Sequence, residues 1–240
     1  MSELTVEAVP GRVEVWTLNR PANRNALTSD MAHRLIAEAD RCDDSDAVGA
    51  IVLTGAGKAF CAGLDLDEFS RPDAPRDLVG AAIRRLGGLA TPLVGAVNGP
   101  AVTGGLELAL ACDALIATPA AVFRDTHLRI GAMSGSGMTV RLPLTVGRGW
   151  ARRMILAGDP LPAETALGLG LVTDIVPDTE LLDSATDLAR RMAAMDPPLS
   201  ATTKQLCDAI ERTTPEDGFR LEAEALREHR KKGRAWNTAT

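Results

Sequence analysis

Two glycine-rich stretches carry residue types and spacings that could do chemistry. In Asn98-Gly99-Pro100-Ala101-Val102-Thr103-Gly104-Gly105-Leu106-Glu107-Leu108-Ala109-Leu110-Ala111-Cys112, a glycine pair opens an apolar helix that contains one acid. A helix start leaves peptide N–H groups unpaired and carries partial positive charge, which suits a developing oxyanion. Glu107 follows Gly104 by about one helical turn. Surrounded by Leu106, Leu108, Ala109, Leu110 and Ala111, it lies either at a wet helix edge or partly buried. Burial would raise its pKa toward the range useful for proton transfer. The second stretch is Ala59-Phe60-Cys61-Ala62-Gly63-Leu64-Asp65-Leu66. It follows the apolar run 48–54, at the C-terminal end of an expected strand, where α/β proteins often bind ligands. Small residues let a ligand approach the backbone and leave N–H groups free to meet it. The alternative is a tight turn capped by Asp65.

Other chemistries lack their residues. Gly55-Ala56-Gly57-Lys58 resembles a phosphate loop, but Val52 and Ala59 occupy the positions that need Gly and Ser or Thr. Gly135-Ser136-Gly137 lacks the third glycine of a dinucleotide fingerprint, because residue 140 is Val140. No Gly-x-Ser-x-Gly elbow occurs. Cys42, Cys61, Cys112 and Cys207 form no CxxC pair, so no metal or redox motif is expected. The chain has three Trp, four Phe and no Tyr. A tyrosine acid or oxyanion donor is therefore ruled out, and a base-stacking surface is hard to build. A net charge of −6 argues against non-specific nucleic-acid binding.

The elements that must position these groups follow from periodicity. Residues 12–18 read as a strand, and Asn19-Arg20-Pro21-Ala22-Asn23 as a loop. Residues 28–41 predict a helix with Thr28 or Ser29 as N-cap. Leu27, Met31, Leu35 and Ala39 give it an apolar stripe. The runs 48–54, 93–97 and 114–117 read as strands covered on both faces. Strands separated by helices point to an α/β fold with crossovers. From about 148 the character turns helical, with segments at 148–157, 163–168, 178–195, 201–213 and 217–231 and a short strand at 171–176. The 71–77 segment reads as a mobile loop.

With 240 residues, 45% hydrophobic and 24% charged, the chain is expected to fold as one large domain or two small ones. A boundary is placed near 190. The most apolar stretch, 93–123, contains Asn98, Pro100, Glu107 and Asp113, so it reads as protein interior rather than a membrane span. Met1-Ser2-Glu3-Leu4 lacks the pattern of a signal peptide. A cytoplasmic location is expected.

Several of these segments together resemble the crotonase (enoyl-CoA hydratase/isomerase) superfamily. Phe60-Cys61-Ala62-Gly63-Leu64-Asp65-Leu66 and Asn98-Gly99-Pro100-Ala101 through Gly104-Gly105-Leu106-Glu107-Leu108-Ala109 are similar to its two signatures. Leu18-Asn19-Arg20-Pro21 with Asn25-Ala26-Leu27 is similar to its N-terminal one. Cys112-Asp113, Leu142-Pro143 and Ala166-Leu167-Gly168-Leu169-Gly170-Leu171-Val172 extend the match over most of 10–190, in the family's order.

The resemblance implies a crotonase-like spiral of repeated ββα units over 1–190. It implies a helical C-terminal region over 191–240 for oligomerisation and pocket cover. Trimers or dimers of trimers, acyl-CoA substrates and no metal or redox cofactor go with it. By position, the N–H groups of Leu64 and Gly104 would grip the thioester oxygen and stabilise an enolate. Arg24, Ala26, Ala62, Leu64, Asp65, Leu66 and Gly104 match the segments that contact CoA. Asp65 has two open uses, turn cap or CoA contact, and Arg24 is either a phosphate contact or a solvated side chain. Asp113 is expected to be structural, and the glycine-rich loop 131–139 to line the acyl pocket or only to turn. The basic tail Arg227-Glu228-His229-Arg230-Lys231-Lys232-Gly233-Arg234 is either solvated or drawn to CoA phosphates.

Family hydratases use two glutamates. Glu107 matches the first, and the second position is His127, within Phe123-Arg124-Asp125-Thr126-His127. Three readings follow: His127 is an acid/base, it only binds or orients substrate while Glu107 moves the proton alone, or hydratase chemistry is weak or lost. The expected activity is hydration or isomerisation of a 2-enoyl-CoA. An acyl-CoA hydrolase, a decarboxylase or a degenerate acyl-CoA-binding homologue are the alternatives.

Overall fold

The computed structural model describes residues 2–71, 73–211 and 213–231. It divides into two compact units, Met1–Met195 and Asp196–Thr240. The elements of the first are β1 (Leu4–Val9), β2 (Val13–Leu18), α1 (Ser29–Asp43), β3 (Ala50–Gly55), α2 (Leu66–Phe69), α3 (Arg76–Leu86), β4 (Leu93–Val97), β5 (Ala101–Val102), α4 (Gly104–Ala109), β6 (Ala114–Ala117), β7 (Val122–Arg124), α5 (Met138–Ala157), β8 (Leu161–Pro162), α6 (Ala163–Gly168), β9 (Asp174–Ile175) and α7 (Leu181–Ala193). The second contains α8 (Pro197–Ile210) and α9 (Pro215–Lys231), which pack on each other, with Gly218 against Ile210.

Among the described residues, six strands form one sheet in the order β1-β2-β3-β4-β6-β9. β1 pairs antiparallel with β2, and the other neighbours are parallel. Both faces of this sheet are covered, as the unbroken apolar runs require. On one face Trp16, Leu18, Ile51, Leu53 and Leu93 join a large core with α1 and α3. On the other, Val13, Val15, Val52, Val94 and Ile116 lie under α7, which offers Leu181, Ala185, Ala189 and Ala193. Fully burying each large aliphatic side chain contributes about 1.5–3 kcal/mol.

The chain advances by a repeated step. β2 leads to Leu27 and α1, β3 to Cys61 and then α2 and α3, β4 to β5 and α4, and β6 to β7 and then α5. The first member of each step joins the large sheet. The second joins a smaller layer in which Leu27 bridges Leu64, Cys61 bridges Ala101 and β5 pairs with β7, all parallel. β8 closes this layer antiparallel to β7. The expected ββα repetition is thus seen directly.

Some boundaries moved. Helix α1 begins after Thr28, whose Oγ1 accepts from Met31 N at 3.1 Å, a cap worth about 1 kcal/mol. The helix expected from 148 begins at Met138, carries Pro143 and is broken at Gly147 (φ 76°). Its glycines and proline hid it from a periodicity reading. The strand expected over 171–176 is Asp174–Ile175. Residues 178–180 form a 3-10 turn ahead of α7. β1 and the two- and three-residue strands of the smaller layer were not anticipated, because so short a run holds no readable period.

Candidate active site

The turn after β3 is positioned by buried polar staples. Asn25 is fully buried; its Oδ1 accepts from Arg20 N at 2.9 Å, and its Nδ2 donates to Ala56 O and Ala59 O at 2.9 and 2.8 Å. Ala62 N donates to Arg24 O at 3.0 Å, and Leu27 N to Gly63 O at 2.7 Å. Segment 20–27 is therefore sewn to segment 56–65. Asp65 is a cap: its Oδ1 accepts from Asp67 N and Glu68 N at 3.1 and 3.2 Å. Its Oδ2 meets Arg20 Nη1 at 2.7 Å, and Arg20 also donates to Ala26 O at 2.7 Å. Burial alone would raise the Asp65 carboxyl, but the Arg20 guanidinium and the backbone donors outweigh it and hold the group below the usual carboxylate range. Of the two uses open to Asp65, the structure displays the turn cap.

Next to this turn stands the start of α4. Gly63 has φ 94°, which a side chain rarely tolerates, and a Cβ there would lie 3.2 Å from Gly104 N and 3.0 Å from Val102 O. A Cβ on Gly105 would lie only 2.1 Å from Cys61 O. The two glycine-rich stretches are thus in direct backbone contact. Leu27 bonds to Gly63 O and Asp65 N, the atoms on either side of Leu64, so the Leu64 N–H faces away from Leu27. Gly104 is the first residue of α4, so its N–H has no acceptor within the helix.

Thr103 sets the pitch of that helix start. It has φ 55°, a region that β-branched residues seldom enter. Its N donates to Arg124 O at 2.8 Å, and its Oγ1 lies 2.6 Å from Thr126 Oγ1.

Glu107 is buried, as one of its two expected settings required, with 2% exposure. Its Oε1 accepts from Ser136 N at 3.0 Å and Met138 N at 3.3 Å. Its Oε2 lies 3.9 Å from His127 Nε2. Burial pushes the carboxyl above the ordinary carboxylate range; the two backbone donors and His127 pull the other way without cancelling it. His127 is buried as well, and its Nδ1 lies 2.7 Å from Asp125 Oδ1. Asp125 Oδ1 also accepts the His127 backbone N–H at 3.0 Å. The roles of Asp125 and Thr103 were not expected from the sequence, whereas Ser136 and Met138 lie in the loop 131–139 that was expected to line the acyl pocket or only to turn.

The remaining residues fall as follows. Arg24 is exposed in a left-handed conformation (φ 52°), Ala26 is buried, Ala62 and Leu64 are half-buried, and Leu66 is 58% exposed. Asp113 is structural: its Oδ2 accepts from Leu93 N at 2.7 Å and ties β4 to the end of α4. Burial pushes the Cys61 thiol up to about 12, so it is no nucleophile at neutral pH. Among the described residues no group of three or more His, Cys, Asp or Glu could hold a metal ion. No helix among them is long and apolar enough to cross a membrane. Of the basic tail, Arg227–Lys231 lie in α9, where Lys231 pairs with Glu228 at 2.5 Å. Lys232, Gly233 and Arg234 lie outside the described residues.

The sequence profile of the Enoyl-CoA hydratase/isomerase family matches residues 9–235. The chain belongs to the enoyl-CoA hydratase/isomerase family. Among the family's curated members it is 38% identical over 208 residues to the 2,3-dehydroadipyl-CoA hydratase of Escherichia coli K12, covering 85% of this chain and 81% of that one. It is 36% identical over 215 residues to a probable mitochondrial enoyl-CoA hydratase of Dictyostelium discoideum, covering 88% and 78%. The crystal structure of enoyl-CoA hydratase from Mycobacterium tuberculosis H37Rv superposes with a TM-score of 0.80 at 40% identity, covering 95% of this chain and 99% of that one. The expected crotonase fold is therefore borne out, and the chain is an enzyme of the hydratase/isomerase type.

Proposed function

We propose that the enzyme adds water across the double bond of a 2-enoyl-CoA, with Glu107 and His127 as the acid/base pair. One observation carries this: Glu107 Oε1 is held by two peptide donors while Oε2 is left facing His127 Nε2 at 3.9 Å. That gap is too long for a direct hydrogen bond. A water about 2.8 Å from both atoms would subtend an angle of about 90°, close enough to tetrahedral to bond both.

In the reaction, Glu107 takes a proton from this water as its oxygen attacks C3. The double-bond electrons move to the thioester oxygen, and the N–H groups of Leu64 and Gly104 receive the resulting enolate. As the enolate collapses, the protonated Glu107 returns its proton to C2, while His127 Nε2 accepts a hydrogen bond from the remaining water hydrogen; this completes the 3-hydroxyacyl-CoA and restores the carboxylate. A pKa raised by burial suits Glu107 to both taking and returning a proton. Backbone donors account for the absence of tyrosine.

The CoA portion would run along Arg24, Ala26, Ala62 and Leu66, with the exposed Arg24 guanidinium meeting a phosphate. Asp65 would shape this edge through the turn it caps. The reading includes a trimer or dimer of trimers, a division of labour between a 1–190 core and a 191–240 helical region, and a cytoplasmic location. It calls for no metal or redox cofactor.

The test is loss of the enoyl-thioester absorbance of crotonyl-CoA. Glu107→Gln is expected to lower kcat by about 10²–10⁴, and His127→Ala to slow the reaction as well. A Glu107→Gln enzyme as fast as wild type would sink the assignment. The Asp125–His127 pair favours one second reading, in which the activated water attacks the thioester carbonyl. Release of free CoA thiol in place of a hydroxyacyl-CoA would identify it.

A further inference from the structure

We propose that Asp125 is a positioning residue that selects the working nitrogen of His127, an inference that rests on the acid/base role given to His127 above. The geometry is specific. Asp125 is buried, with 2% exposure, and its carboxylate accepts two hydrogen bonds from the one residue His127. Oδ1 takes the His127 backbone N–H at 3.0 Å and the ring Nδ1 at 2.7 Å. The backbone bond fixes the carboxylate rotamer, and the fixed carboxylate then fixes the ring. An ionised carboxylate only accepts, so the hydrogen-bond network assigns the ring hydrogen to Nδ1. Nε2 is then bare in the neutral ring and faces Glu107 Oε2.

The two neighbours matter to this arrangement. An unconstrained neutral histidine favours the opposite tautomer, with hydrogen on Nε2. In that form His127 would offer a donor to the water site in place of an acceptor. Glu107 cannot correct the choice, because at 3.9 Å it is beyond direct bonding. Thr126, between the two residues, bonds to Thr103 at 2.6 Å. The Asp125-Thr126-His127 segment is therefore clamped to the start of α4, and the carboxylate cannot follow a ring that turns away.

Nitrogen-15 labelling of histidine separates protonated from bare ring nitrogens in solution. The chain has three histidines, His33, His127 and His229, and the signals lost in His127→Gln assign the set. In the wild type the neutral His127 ring is expected to carry its hydrogen on Nδ1; hydrogen on Nε2 overturns the proposal without any variant at Asp125. In Asp125→Ala the hydrogen is expected to shift to Nε2. There kcat on crotonyl-CoA should fall about 10- to 1000-fold, with KM changed less than about threefold. Asp125→Asn keeps an acceptor oxygen, so it should restore the Nδ1–H form and at least a tenfold part of the lost kcat. A folded Asp125→Ala enzyme with unchanged tautomer or unchanged kcat overturns the proposal. A wild type with the expected tautomer but no hydratase activity would instead break the functional reading.

Discussion

The two halves of the candidate site are built from different material. The proposed oxyanion half is peptide backbone: the Leu64 and Gly104 N–H groups, brought together because Gly63 and Gly105 have no Cβ. The acid/base half is side chain: Glu107, His127 and Asp125, each aimed by a hydrogen bond to a fixed partner. No substitution short of proline removes a backbone donor at its own residue. Otherwise it is vulnerable through the residues that let two chain segments approach. A side-chain acid is the reverse case, where one atom changed at the residue itself should abolish its work. The seam between the halves is the Thr103–Thr126 hydrogen bond.

The contrast breaks first at the glycines, where the largest effects are expected. Gly105→Ala would drive a methyl group into the Cys61 carbonyl at 2.1 Å, a backbone atom that cannot swing aside. Gly63→Ala meets a milder contact but an unfavourable φ of 94°. Losing one oxyanion donor lowers kcat by about 10²–10³; Gly63→Ala should lose a factor in that range and Gly105→Ala a larger one. Steady-state rates beside circular dichroism spectra separate this from unfolding, and near-wild-type rates in either variant would show that the backbone half does not work as described.

A smaller effect should come from pH, and it belongs to the side-chain half alone. The Glu107 carboxyl is raised by burial. Its contribution to stability is fully present below the unfolded value, about 4.3, and is lost as pH rises through the folded value. Wild type should therefore lose stability relative to Glu107→Gln across that window. Denaturant titrations of both proteins at about pH 4 and about pH 8 measure it. The acid limb of kcat/KM should lie above the ordinary glutamate range, and Glu107→Gln should remove the part of it that belongs to this carboxyl. An acid limb in the ordinary range would mean that burial does not tune this group.

The smallest expected change sits at the seam. Thr126→Val removes one hydrogen bond, worth about 1 kcal/mol, or roughly a fivefold effect. It should lower kcat with little change in KM, since it loosens both halves at once. A change confined to KM would place the threonine pair in substrate binding instead.

Much of this molecule was legible before folding was considered. The apolar runs at 93–97 and 114–117 gave strands with those same bounds, because a strand buried on both faces needs an unbroken apolar segment. Glu107 stood out because an acid amid Leu and Ala is chemically costly unless it is used or exposed. Both glycine-rich turns were found for the same reason, since local composition records local backbone demands. Their contact was implied only by the family resemblance, which put the Leu64 and Gly104 N–H groups on one oxygen, and not by composition. Nothing in 59–66 or 98–112 states that Gly63 and Gly105 will touch each other's segments; parallel pairing of strands far apart in the chain decides that.

Asp125 and Thr103 were missed for a related reason. An aspartate two residues before a histidine is common, and a threonine before two glycines is common. Their roles arise from a 2.7 Å approach to an imidazole and a φ of 55°, neither of which is a property of composition. Asn25 is alike: an ordinary loop residue in sequence, fully buried and bonded to segments 20 and 56–59 in the fold. The sequence by itself determined which groups the enzyme possesses and which elements carry them, because those follow from periodicity and residue chemistry over a few neighbours. The tertiary structure alone decided which oxygen of Glu107 the peptide donors hold and which nitrogen of His127 faces the other. Those are matters of angstroms between residues that the chain brings together only when the sheet and its second layer close.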